Sequence, residues 1–161
     1  MTKNGILCEV NEKRVYLDPK KTDLNTINFV SHAHSDHLPS KNGGTILSSI
    51  ETSEISNLRG FTMENHVESI DGFSLIDSGH VLGSKGLLFD DIFYTGDICT
   101  RDRGFLKAAK IPSCKTLITE CTFGLPEFKF PKMQEIENYV NQLISDLYSK
   151  GVPVILMGYQ L

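Results

Sequence analysis

The chain has 161 residues, an apolar fraction of 40%, and 16 Lys and Arg against 20 Asp and Glu, a formal charge of −4. That length suits one domain with a real core and is short for two. The acidic balance excludes a general polycationic nucleic-acid binder, and no run of about eighteen apolar residues marks a membrane span. The N-terminal MTKNGILCEVNEKRV carries charges where a signal peptide needs a long apolar stretch, so the expected compartment is the cytoplasm. Cys8, Cys99, Cys114 and Cys121 contain no C-x-x-C pair. This argues against a zinc ribbon and for four reduced, mostly buried thiols.

In chain order, GILCEV and RVYLD read as two strands joined by a polar NEK turn, and INFV (27–30) as a short apolar strand. FSLI (73–76), GLLF (86–89), DIFY (91–94) and TLIT (116–119) follow, with β-branched and aromatic residues bounded by Gly or Asp. One amphipathic helix is predicted over 133–148. Ile136, Val140, Leu143, Ile144 and Leu147 recur at three- and four-residue steps, and Gly151 stops the helix. The apolar VPVILMG then predicts a further strand.

The residues with chemical potential follow the strands. His32 comes after INFV, Asp77 and His80 after FSLI, Asp97 after IFY and Glu120 after TLIT. If these strands share one sheet and one direction, their ends meet at one rim, a usual place for a site. The stretch SHAHSDHL (31–38) holds three of the five histidines. In an extended segment residues two apart point the same way, so His32 and His34 aim at one point, with Asp36 and His37 serving a neighbouring one. Imidazole and carboxylate suit zinc, and also iron or manganese. His66, between acids in MENHVES, reads as a solvated surface histidine.

On these residues the chain resembles the metallo-β-lactamase-fold hydrolases. SHAHSDHL is similar to their signature loop, Asp18 in YLDP to an early acidic motif, His80 in DSGHVLGS to the third motif and Asp97 in YTGDICT to the fourth. The resemblance implies an α+β fold of the αββα sandwich type with two divalent metal ions, zinc first. His32, His34 and His80 would hold one metal, Asp36 and His37 the second, and Asp97 would bridge them. Asp18 would brace the loop from behind. TECTFGLPEFKFP resembles the β-CASP nuclease branch, in particular the mRNA 3′-end processing factors and then the ligase-associated DNA exonucleases. Glu120 falls on that branch's first additional acidic motif, which makes Asp36, Asp97 and Glu120 the expected catalytic carboxylates. The implied reaction is phosphodiester hydrolysis by a hydroxide activated between two metals, on RNA before DNA.

Arg101, Arg103, Lys107, Lys110 and Lys115 stand against Asp102 alone in 101–115, a local +4. This segment could meet phosphates, Arg101, Arg103 and Lys107 foremost, or be a solvated face. In the branch resembled, the predicted helix and the VPVILMG strand lead into a cap domain and a further metal-ligating histidine. Residues 1–161 are therefore expected to form the N-terminal part of such a domain. As an isolated chain it should be unstable, aggregated, or dependent on a partner chain or a C-terminal half for activity. Two other functions stay open: a small-substrate hydrolase of the same fold, such as a thioesterase or lactonase, and a non-catalytic fragment.

Overall fold

In the computed structural model, residues 3–158 are described, as two compact units that divide after Glu120. The first unit begins with β1 (Ile6–Val10) and β2 (Lys13–Leu17), which pair antiparallel with Val10 opposite Lys13. Asn11 and Glu12 both take positive φ, 47° and 66°, the backbone of a two-residue hairpin turn that matches the twist of the strands. β3 (Ile27–Phe29), β4 (Ile46–Leu47) and β5 (His66–Val67) then add in parallel, in the order β1-β2-β3-β4-β5. Between β4 and β5 runs α1 (Ile50–Leu58).

A second sheet has the order β6-β7-β8-β9: β6 (Ser74–Asp77), β7 (Lys85–Phe89), β8 (Ile92–Tyr94) and β9 (Thr116–Ile118). β6, β7 and β8 alternate in direction and β9 runs parallel to β8. Asp90 and Asp91, with φ of 42° and 63°, repeat the two-residue hairpin turn between β7 and β8. The two sheets share one core: Val15, Leu17, Phe29 and Leu47 from the first meet Leu87, Phe89 and Tyr94 from the second. A smaller cluster of Val30, Ile46 and Met63 forms with Leu38 and Phe61. The result is a mixed α/β architecture with two sheets, as an α+β sandwich requires.

Several expectations change here. The chemical residues do not follow strands of a single sheet. β3 belongs to the first sheet, and β6, β8 and β9, which share one direction, to the second. His66 lies in β5, half-buried, with its Nε2 3.1 Å from the Ser48 carbonyl, rather than in a solvated loop. None of the four cysteines is fully buried: Cys8 is on the outer strand β1, and Cys121 is exposed. α1, β4 and β5 carry no clear sequence signal. The buried residues of α1 are Thr52 and Ser56 while Leu58 is 87% exposed, so its apolar pattern is inverted.

The second unit holds α2 (Met133–Ser149), one residue longer than its periodicity predicts. Gly151, at φ 69°, ends it, its N–H donating to the Tyr148 carbonyl. Phe123 packs edge-on against Phe128 and Phe130 ahead of the helix. The expected VPVILMG strand does not form: 153–158 have no ladder partner among the described residues, and an apolar run becomes a strand only where a neighbour pairs with it. No helix among the described residues is long and apolar enough to cross a membrane.

Candidate metal centre

The parallel strand β3 ends at Phe29, and the chain runs on extended through Val30 and Ser31 into the histidine segment. Ser31 is anchored from two sides, its carbonyl accepting from Lys85 N at the start of β7 and its N–H donating to Asp18 Oδ1. Gly96 lies directly against it. At φ 56° a Cβ on Gly96 would lie 2.6 Å from the Ser31 Cβ, so only glycine lets the Tyr94-Thr95-Gly96-Asp97 turn approach. Arg59, which caps the C-terminus of α1, reaches Ala33 and donates to its carbonyl at 2.5 Å. Residues from both sheets and the helix thus hold one short loop.

At that rim His32 Nε2 lies 2.9 Å from His34 Nδ1, and His80 Nε2 3.3 Å from the same atom. Asp97 Oδ2 is 3.8 Å from His32 Nε2 and 3.5 Å from His80 Nε2. Among the described residues these four form a group whose ligand atoms all lie within 4.8 Å of one another. A tetrahedral zinc with bonds of about 2.0 Å keeps its ligand atoms roughly 3.3 Å apart, the spacing seen here. Three imidazole nitrogens facing one another at this range cannot satisfy each other by hydrogen bonds alone. The donor set is one that could hold a metal ion.

Electrostatics agree with the geometry. Burial, reinforced by the neighbouring histidines and Arg59, pushes His32 down to about 2, which keeps its imidazole neutral and free to donate a lone pair. Burial also lowers His80, with His34 and Arg103 acting the same way and Asp97 opposing them. Burial raises the Asp97 carboxyl, Glu120 and Asp18 add to this, and His37 and His80 counter it. An acid so placed gains from a cation beside it.

A second cluster adjoins the first. His37 Nε2 is 3.5 Å from Asp97 Oδ1 and 3.7 Å from Asp36 Oδ2, so the two oxygens of Asp97 face different histidine sets. The Asp36 side chain is 79% exposed, whereas that of His37 is only 19% exposed. Asp18, at φ 42° just past β2, gathers this region. It accepts from Ser31 N at 2.7 Å, Ser31 Oγ at 2.6 Å, His37 Nδ1 at 2.8 Å and Tyr94 OH at 2.8 Å. Burial disfavours a charged His37, but the hydrogen bond to Asp18 and the carboxylates of Asp18, Asp97 and Asp36 prevail and raise it to about 9. Burial and then Asp18 push the Tyr94 hydroxyl well above its usual range, so it remains a donor. Ser31 Oγ, 3.0 Å from His32 Nδ1, carries the network to the first cluster.

Glu120, after β9, accepts from Ile98 N at 2.9 Å, next to Asp97, and its charge also favours the protonated form of His80. Of the basic residues, Arg103 donates through Nη2 to the His80 carbonyl. Lys107 pairs with Asp102 at 3.0 Å and Lys115 with Asp91 at 2.7 Å, so two of the five cations are already neutralised. Arg101 is exposed, and among the described residues only its carbonyl is bonded, accepting from Cys99 Sγ. Tyr94, Ser31 and Arg59 were missed from sequence. A tyrosine at the end of a strand beside TGD was the one available signal.

No protein-family model matches the chain. It is 30% identical over 150 residues to a probable DNA ligase of Opitutus terrae, covering 83% of this chain and 14% of that protein. It is 30% identical over 97 residues to the transcription termination factor FttA of a Lokiarchaeum, covering 53% and 15%. Over 91 residues it is 32% identical to cleavage and polyadenylation specificity factor 73 of Drosophila melanogaster, covering 50% and 13%. The chain therefore spans about one-seventh of the length of each of these relatives.

Proposed function

We propose that this chain carries the metal centre of a phosphodiesterase of the metallo-β-lactamase, β-CASP type, which hydrolyses RNA in preference to DNA. The observation that carries this reading is the placement of Asp97, whose Oδ2 faces His32 and His80 while Oδ1 faces His37. Relatives whose names refer to transcription termination and to cleavage and polyadenylation favour RNA, and one named as a DNA ligase keeps DNA as the alternative substrate. Residues 1–161 then correspond to the N-terminal part of the catalytic domain, and full activity draws on further chain or a partner.

His32, His34, His80 and Asp97 would hold one divalent ion, zinc first, and Asp36, His37 and Asp97 a second. When bound, such ions supply Lewis-acid activation of water and neutralisation of charge on the phosphoryl group. The protein's own part is orientation and access. His37 donates its Nδ1–H to Asp18 in a hydrogen bond, which directs Nε2 toward Asp97 and Asp36. Tyr94 and Ser31 fill the remaining positions on Asp18 and hold that carboxylate still. Glu120 fixes the turn after Asp97 through Ile98, and Arg103 fixes the backbone at His80. Both therefore serve as positioning residues. Exposed Asp36 stands on the open side, where substrate must enter.

Metal analysis with a labelled-oligonucleotide assay tests the proposal. The chain should bind one zinc ion tightly and a second more weakly. It should cleave single-stranded RNA slowly, and Asp97→Ala should lose both metals and cleavage. Zinc-dependent cleavage that persists in Asp97→Ala would overturn the assignment.

A further inference from the structure

Next to the His80 loop lies a cavity of about 290 Å³, close to the lower limit for small-ligand pockets, and no residue discussed as a metal ligand lines it. One wall is the turn 81–84 packed on the first turn of α1. There the Gly83 carbonyl accepts from Ser49 Oγ at 2.6 Å and Thr52 Oγ1 at 3.1 Å. The other wall is the hairpin closed by the Arg103–Leu106 bridge. That hairpin meets the His80 loop at Gly79, where a Cβ would lie 2.6 Å from the Lys107 carbonyl. Both walls are thus anchored on the segment that carries His80.

The lining combines features that the metal centre does not use. Phe105 is 71% exposed and Leu82 49%, a flat ring and an apolar edge left to solvent. Most charges of the cavity are already matched, Asp77 by Lys85 and Lys107 by Asp102. The Glu51 carboxylate, by contrast, has no hydrogen-bond partner among the described residues. An unmatched carboxylate repels phosphate and accepts from neutral N–H groups. An exposed aromatic ring offers a stacking platform to any flat heterocycle. A nucleobase bearing an exocyclic amino group has both properties, a π-face and an N–H donor edge.

We propose that this cavity binds one amino-bearing base of a single-stranded nucleic acid, stacked on Phe105 with its amino group donating to Glu51. The proposal rests on the nuclease reading above and gives the bound strand a base preference beside His80. Cytosine, adenine and guanine carry the amino group, whereas uracil offers only N3–H, flanked by two carbonyl oxygens that a carboxylate repels.

Fluorescence anisotropy of labelled rC8 and rU8 with the 161-residue chain in EDTA reads binding without cleavage. rC8 should bind about tenfold more tightly than rU8. Phe105→Ala should weaken rC8 about tenfold, Phe105→Tyr should restore it, and Glu51→Ala should erase the difference between the two oligonucleotides. Phe105 is exposed, so its variants should keep the fold, which a thermal melt checks. Equal binding of rC8 and rU8 by the wild type, or affinities unmoved by the Phe105→Ala and Glu51→Ala substitutions, would overturn the base site. Zinc-dependent cleavage measured separately judges the nuclease reading. Cleavage without base preference removes only the cavity proposal, and base preference without cleavage removes only the nuclease.

Discussion

Asp18 accepts four hydrogen bonds, two from Ser31 and one each from His37 and Tyr94. Tyr94→Phe deletes one of them while leaving the ring in the core against Phe29. It should cost about 1–2 kcal/mol in urea unfolding and weaken zinc binding by roughly 10- to 100-fold in a competition titration. A loss of stability with unchanged zinc affinity would assign Tyr94 to packing alone. Gly96 makes a sharper case, because alanine there meets both a left-handed backbone and the Ser31 side chain. Gly96→Ala should destabilise by about 2–4 kcal/mol and displace Asp97, with zinc binding lost even where the variant is still folded by circular dichroism.

At the scale of elements, α1 shows why a polar helix can be structural. Its N-cap Ser49 accepts from Thr52 N at 3.1 Å, and Ser49 and Thr52 together bind the Gly83 carbonyl. The face turned inward therefore solves a hydrogen-bonding problem of the His80 loop rather than burying apolar surface. Ser49→Ala should cost about 1–2 kcal/mol, since it removes the cap and leaves Gly83 with one donor fewer. The same helix supplies Arg59 to Ala33 between His32 and His34. Chemical denaturation of Ser49→Ala with and without zinc checks both effects, and a variant as stable as wild type would deny α1 this role.

For the whole molecule, the candidate metal centre joins the end of β3 in one sheet to the ends of β6 and β8 in the other. A cation held there would clamp the two sheets. At a free zinc concentration near 100 times its dissociation constant, stability should rise by about 2.7 kcal/mol, fall back with EDTA, and not rise in Asp97→Ala. Calorimetry across a zinc titration measures it. The second unit makes a different demand. Within that unit, Ile136, Val140 and Leu143 form one apolar stripe along α2 that the unit itself does not bury. Such a stripe needs a covering surface.

Much of the site is local chemistry, and local chemistry is legible in a sequence. The i, i+2 pair of His32 and His34 needs only an extended backbone to aim both rings one way, and the hairpin turn at Asn11-Glu12 sits between runs that read as strands. The period of α2 is likewise carried by its own residues. Tertiary structure decided the rest. Two sheets, not one, deliver the histidines and Asp97 to a common rim, because strand order depends on pairings far apart in the chain. α1 escaped notice because its buried contacts are hydrogen bonds to a loop more than thirty residues away, which leave no apolar period. VPVILMG has the composition of a strand, yet composition supplies no partner, and a strand exists only as one side of a pair.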